Sequence, residues 1–239
     1  MYRTINNQLL NWKQSKKRKP LLLRGARQVG KTWVVRQLGQ TFDSYVEVNL
    51  EKQPELDQLF KENFGKPKLL VKQLNLLLNV RIEPGKTLLF FDEIQENKNA
   101  LISLRYFYEE MPNLHVIAAG SLIEFALKEI SFPVGRIQFH YMFPLNFAEY
   151  LIALGRSDLL AEIQQLPSVK ISDGVHEKIN EELKTYLFIG GMPEVVQSYL
   201  DQRDMRLCSQ IQNDLINNFR QDFNKYASRS RVPHLRLVF

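Results

Sequence analysis

Between Leu21 and Val35 the chain reads LLLRGARQVGKTWVV, and this stretch limits the fold more tightly than any other. Gly25, four residues, Gly30, Lys31 and Thr32 satisfy the spacing G-x-x-x-x-G-K-[ST] at every fixed position. The spacing works mechanically where a strand stops and a helix starts. Glycines let the backbone turn and bring its N–H groups close to an anion, and the helix N-terminus adds partial positive charge. The flanks agree: "PLLLRG" is a short apolar run, and Val34, Val35 and Leu38 share one helical face after Gly30. In such a loop Lys31 reaches the outer phosphates of a nucleoside triphosphate, and the Thr32 hydroxyl ligates Mg2+. Gly25, Ala26, Arg27, Gln28, Val29, Gly30, Lys31, Thr32 and Trp33 are therefore the candidate nucleotide-binding residues, although a loop arginine such as Arg27 can equally face solvent.

A phosphate loop also needs a carboxylate for its metal. "TLLFFDEIQ" supplies one, with Asp92 and Glu93 ending a strand that shows no polar alternation, as expected in a parallel sheet covered on both faces. Ligands of doubly wound sheets collect at that end. Asp92 is the candidate Mg2+ carboxylate, and Glu93 the candidate general base that polarises the attacking water. Ser121 follows the next apolar strand, "VIAAG". There it either senses the γ-phosphate or caps the helix "SLIEFALKE", and one residue could do both.

Strand and helix alternate up to about residue 145. After the loop come "SYVEVNL", helices over about 54–64 and 68–78, "TLLFF", the helix "NALISLRYFYEEM" and "LHVIAAG". This order predicts an α/β doubly wound parallel sheet of the P-loop NTPase type. Beyond it, helical periodicity takes over in "NFAEYLIAL", "VHEKINEELKTYLFI", "PEVVQSYL" and a long segment over about 205–226. The expected organisation is an N-terminal helix and basic segment (1–19), an ATPase core (20–145) and a smaller, mostly helical segment (146–239).

The order of these motifs resembles the AAA+ ATPases. "EVNLE", "SLRYFYEEMPNLHVIAAGSLIEFAL", "PVGRI", "FPLNFAEYL" and "GGMPEVV", together with the phosphate loop and "TLLFFDEIQ", are similar to a prokaryotic AAA-type family. Its members usually end in a domain of unknown function resembling PD-(D/E)xK nucleases. The resemblance implies an AAA+ core with a strand inserted between the phosphate-loop and Asp-Glu strands, then a winged-helix-like segment. It implies ATP and Mg2+ as ligands, Lys31 with Thr32 and Asp92 with Glu93 as the two motif pairs, Ser121 at the sensor position and Arg136 in the "PVGR" motif. Family members continue well past the segment that ends here at Phe239, so the nuclease-like domain is expected to be missing from this chain.

Phosphoryl transfer benefits from an arginine that offsets charge in the transition state, in cis or from a neighbouring subunit. Arg136, on a turn before the alternating edge-strand pattern "RIQFHYM", is the first candidate, followed by Arg105 and Arg220. "GGMPEVV" reads either as an interdomain hinge or as a plain joint between helices.

Composition excludes several classes. One cysteine, Cys208, gives no internal disulfide framework and fits a reducing cytoplasm. Four scattered histidines show no metal-ligand spacing, and no apolar run is long enough to cross a bilayer. The net charge is +6, but residues 1–50 alone carry ten Lys/Arg against two acids. "KQSKKRKP" is either a DNA-contacting run or a set of cations at the C-terminus of an amphipathic helix (Ile5, Leu9, Leu10, Trp12) broken by Pro20. The functional expectation is a cytoplasmic Mg-dependent ATPase with self-association or a protein client open. Its rivals are a nucleotide-gated interaction module with little turnover, a DNA-associated ATPase and a small-molecule kinase, the last disfavoured by the Asp-Glu pair.

Overall fold

The computed structural model describes residues 1–121, 135–168 and 170–226. They divide into two compact units, residues 3–143 and a second unit that runs from Pro144 and includes Met1 and Tyr2.

The first unit is a five-stranded, all-parallel sheet: β1 (Leu21–Arg24), β2 (Ser44–Asn49), β3 (Thr87–Asp92), β4 (His115–Gly120) and β5 (Gln138–Tyr141), in spatial order β2-β3-β4-β1-β5. Every residue of β3 and β4 is buried, which is why those runs carry no polar alternation. β4 lies between β1 and β3, so the strand expected between the phosphate-loop and Asp-Glu strands is β4, later in sequence than both. β5 pairs with β1 at one edge, as the alternation of "RIQFHYM" suggested.

Helices α2 (Lys31–Gly39), α3 (Leu56–Glu62), α4 (Pro67–Leu78) and α5 (Lys98–Glu110) complete the crossovers. Val34, Val35 and Leu38 of α2 are buried together. The Phe91 ring of β3 meets Phe60 of α3 edge-on, with centroids 5.6 Å apart, and Phe107 of α5 at 5.9 Å. Burying such rings stabilises by about 2–3 kcal/mol each, so these contacts fix how helices lie on the sheet.

The N-terminal segment is not a separate body. Helix α1 (Ile5–Gln14) belongs to the first unit, with Ile5, Leu9 and Trp12 buried and Leu10 left partly exposed. It ends at Gln14, six residues before Pro20, because Ser15 turns extended and the Trp12 indole donates to the Lys19 carbonyl at 2.7 Å. Only Lys13 falls in its last turn, where its ammonium donates to the Thr41 carbonyl at 2.6 Å and lies over the Phe42 ring. Lys16 and Lys17 are solvated, whereas Arg18 donates to the Asn113 carbonyl at 2.8 Å.

The second unit contains α6 (Phe147–Ala153), α7 (Ser157–Gln164), α8 (Asp173–Ile189), α9 (Pro193–Gln202) and α10 (Met205–Tyr226). Helix α7 is not among the helices read from the sequence, although Leu159, Leu160 and Ile163 recur at helical spacing and pack into this unit's core. Asn146 caps α6 reciprocally with Glu149, and Tyr150, Val195, Val196 and Cys208 sit in the core of this unit. A winged helix would need a hairpin wing; among the described residues this unit contains no strand. The "GGMPEVV" segment lies wholly inside it, which removes the interdomain-hinge alternative. Gly191 is there for close approach: a Cβ would collide with the Leu145 carbonyl, and the Leu145 N–H donates to the Gly191 oxygen at 2.6 Å.

Candidate functional site

The phosphate loop leaves the C-terminal end of β1 and enters α2 at Lys31. Gly25 is obligatory, since a Cβ there would overlap the Met142 carbonyl, to which the chain runs close where β5 ends. Gln28 takes φ +64°, an uncommon backbone for a residue with a side chain. The Lys31 ammonium is buried and donates to the Gly25 and Ala26 carbonyls at 2.9 and 2.7 Å. Burial lowers its pKa, and the nearby charges of Glu93 and Asp92 oppose that shift.

Sheet order brings the two motifs together across 60 residues. The Thr32 hydroxyl donates to Asp92 Oδ2 at 2.9 Å, and the Glu93 N–H donates to Asp92 Oδ1 at 3.1 Å. Asp92 is 4% exposed, and burial pushes its carboxyl up, with the charge of Glu93 adding and the Thr32 hydroxyl opposing. A buried carboxylate in no ion pair among the described residues, next to a hydroxyl, is a hard-oxygen donor set of the kind Mg2+ selects. The residues present therefore fit the metal that a phosphate loop implies.

Glu93 follows in the left-handed region, at φ +50°, ψ +46°, and a single 3-10 turn (Ile94–Glu96) comes after it. Its carboxylate accepts from the Gln95 amide at 2.7 Å. Gln28, Gly30, Lys31, Thr32, Trp33 and Glu93 share one open cleft of about 500 Å3, large enough for a triphosphate and its reaction partner. The Trp33 indole is 41% exposed on its wall.

Ser121 is buried at the end of β4 and accepts from Arg27 Nε at 3.3 Å, so the sensor-position serine meets the loop. Its alternative role as a helix cap involves residues 122–130, which lie outside the described residues. Arg136 is not at the site of its own chain. It pairs with Glu109, at 2.5 Å, as does Arg105, at 2.9 Å. Glu109 lies in the last turn of α5, roughly 16 Å along the helix from its start beside the Asp-Glu strand end. The reason lies in the register: Gln138, two residues after Arg136, faces Leu21, the start of β1, while the loop follows its end. Arg220 is exposed on α10 of the second unit.

Two residues at the site escape a sequence reading. Arg3 is buried and donates to the Val29 carbonyl of the loop at 2.8 Å and to the Phe143 carbonyl at 2.5 Å, clamping the loop from before α1. Its acceptors are backbone atoms 26 and 140 residues away, which leave no motif. Gln95 had a weak signal: an amide two residues after the candidate base.

A parallel sheet with a glycine loop between β1 and α2, and with paired acids ending β3, defines a P-loop nucleoside triphosphatase fold. A family model described as "AAA domain" matches residues 17–151, more than half of the chain. The chain belongs to that family. A second model, a domain of unknown function (DUF8612), matches residues 180–239. No curated protein matches the chain. Among solved structures, the Walker-type ATPase paby2304 of Pyrococcus abyssi is 19% identical, covering 95% of this chain and 76% of that one, with a TM-score of 0.59. At that identity the likeness shows the fold. Drosophila ORC bound to DNA is 18% identical over 90% of this chain and 65% of that one, with a TM-score of 0.46, too loose a fit to bear on function. Among the described residues, no helix is long and apolar enough to cross a membrane.

Proposed function

We propose that this chain binds ATP with Mg2+ and hydrolyses it to ADP and phosphate. The observation that carries the reading is the 2.9 Å hydrogen bond from Thr32 to Asp92, which joins the loop to the acidic strand end in one cleft with Lys31 and Glu93. Thr32 and Asp92 are the residues that would hold Mg2+, which, when bound, offsets charge on the β- and γ-phosphates. The ammonium of Lys31 exchanges the Gly25 and Ala26 carbonyls for phosphate oxygens, a trade that favours the charged partner. Glu93 takes the proton of a water as that water attacks the γ-phosphorus, and the bond to the ADP oxygen breaks. Ser121 and Arg27 stand where they can hold the γ-phosphate or that water. The chain's division into two compact units supports coupling of turnover to a rearrangement of the helical unit.

Steady-state phosphate release and fluorescent-nucleotide binding test this. Lys31→Ala should lose binding, and Glu93→Gln should bind ATP at near wild-type affinity while turnover falls by roughly a hundredfold or more. Wild-type turnover in Glu93→Gln removes Glu93 as the base. A second reading, a nucleotide-gated binding module with little turnover, is favoured by the ion pair of Arg136 with Glu109, which leaves that arginine remote from its own chain's cleft. Measurable ATP affinity with turnover near zero would select it.

A further inference from the structure

The acid of the Asp-Glu pair that faces the cleft is not free to turn. Glu93 leaves β3 in the left-handed region, an uncommon backbone for a residue with a Cβ, which turns its side chain away from the strand line. The next two residues fold back in a 3-10 turn, and this return brings the Gln95 amide onto the carboxylate. Gln95 Nε2 donates to Glu93 Oε2 at 2.7 Å and reaches Glu96 Oε1 only weakly, at 3.4 Å. Gln95 Oε1 is buried and finds no partner among the described residues. A buried amide oxygen left unpaired is costly, so the amide holds this orientation against its own hydrogen-bonding preference. The opposite orientation would set the amide oxygen against a carboxylate oxygen, which is worse.

We propose that Gln95 is a positioning residue for Glu93: its amide N–H fixes the carboxylate rotamer toward the cleft, where it can meet a water. The inference rests on the reading of Glu93 as the general base. Two features of the geometry make it specific. The contact lies within a rigid unit of three residues, so it does not depend on any distant element. It also uses only one of the two carboxylate oxygens, and Oε1 remains available to a water in the cleft. Without that contact the carboxylate is free to leave the rotamer that faces the cleft, and it meets the water less often.

The test uses the full chain with Mg-ATP and compares wild type, Gln95→Met, Gln95→Glu and Glu93→Gln. Methionine keeps length and volume but removes the donor; glutamate keeps the shape and replaces the donor with a like charge. Nucleotide affinity and KM should stay within about twofold of wild type in both Gln95 variants. In Gln95→Met, kcat should fall by about tenfold to a hundredfold, the worth of one hydrogen bond to a charged group. In Gln95→Glu, kcat should fall at least as far, whereas Gln95→Met placed in the Glu93→Gln background should change kcat by no more than about twofold, because the two residues act as one unit. A purely structural role would raise KM together with the fall in kcat, or lower kcat by the same factor in the Glu93→Gln background; either result overturns the proposal, as does unchanged or faster turnover. If Gln95→Met does not fold, Gln95→Glu carries the same comparison of kcat with KM and of the two backgrounds. Should Glu93→Gln turn over normally, the base assignment itself has failed, and the Gln95 variants are then expected to turn over like wild type.

Discussion

Replacing Asp92 with asparagine should raise stability while removing function. Asp92 is 4% exposed, and its two oxygens accept one hydrogen bond each, from Thr32 at 2.9 Å and from the Glu93 N–H at 3.1 Å. An ionised carboxylate offers about four acceptor sites, so roughly half are unmet here. Asparagine keeps both contacts: its oxygen accepts from the Glu93 N–H, and its amide donates to the Thr32 hydroxyl, which turns around. Making these bonds neutral costs about 2 kcal/mol in total. Removing a buried charge recovers several kcal/mol of desolvation, or roughly 3–4 with half of the acceptor sites already met. The net expectation is a gain of about 1–2 kcal/mol, which for a chain of this length is roughly 2–8 °C in Tm. Both tryptophans, Trp12 and Trp33, lie in the first unit, so indole fluorescence reports its unfolding alone. The melt is run at about pH 7.5 without nucleotide or Mg2+. Burial raises the Asp92 pKa above the unfolded value of 3.8, so its penalty is absent below pH 3.8, grows as pH rises through the folded value, and is constant above it. The advantage of Asp92→Asn should therefore shrink toward about pH 4, and Mg-ATP binding should weaken at neutral pH. An Asp92→Asn protein that melts at or below wild type near neutral pH refutes the reasoning, because desolvation would then not be the dominant effect at this carboxylate.

His115, at the start of β4, lies edge-on to Trp12 and Phe42 and donates from Nε2 to the Lys13 carbonyl at 3.3 Å. Burial first, then the charge of Arg18, lowers its pKa from 6.5 to about 4. The folded state therefore loses stability as pH falls from 6.5 toward about 4, by up to about 3 kcal/mol, and the loss levels off below that. Urea midpoints over that range should fall more steeply for wild type than for His115→Gln. Gly191→Ala should cost the second unit roughly 1–3 kcal/mol, read as lost amide-exchange protection in α6 and α9, because its Cβ meets the Leu145 carbonyl. Combined Lys16→Gln, Lys17→Gln and Lys19→Gln should leave the melt within about 1 °C of wild type, whereas Arg18→Ala should lower it by losing the contact to Asn113. Any salt-sensitive retardation of duplex DNA should vanish in the same triple variant; its persistence removes the run as a DNA contact.

Residues whose meaning lies in their neighbours along the chain are legible in the sequence itself. Gly25 to Thr32 can be read because glycine spacing, an apolar run ahead of it and a helical face after it are all local. Asp92 and Glu93 follow from an unbroken buried run, and α10 from periodicity over 22 residues. The family match agrees with that reading of the core. Tertiary structure decided what depends on pairing across the chain. Parallel register set Arg136 beside Glu109, at the far end of the sheet from the loop, although the two share a unit. Packing drew α1 into the first unit and let Arg3 hold the loop through carbonyls, which every residue possesses and no motif can mark. It also made Gly191 a contact point instead of a hinge. The divide is physical: periodicity and spacing encode what a segment does with itself, whereas strand order and register determine which segments meet. Thr32 and Asp92 were each visible alone, and the sheet set them 2.9 Å apart.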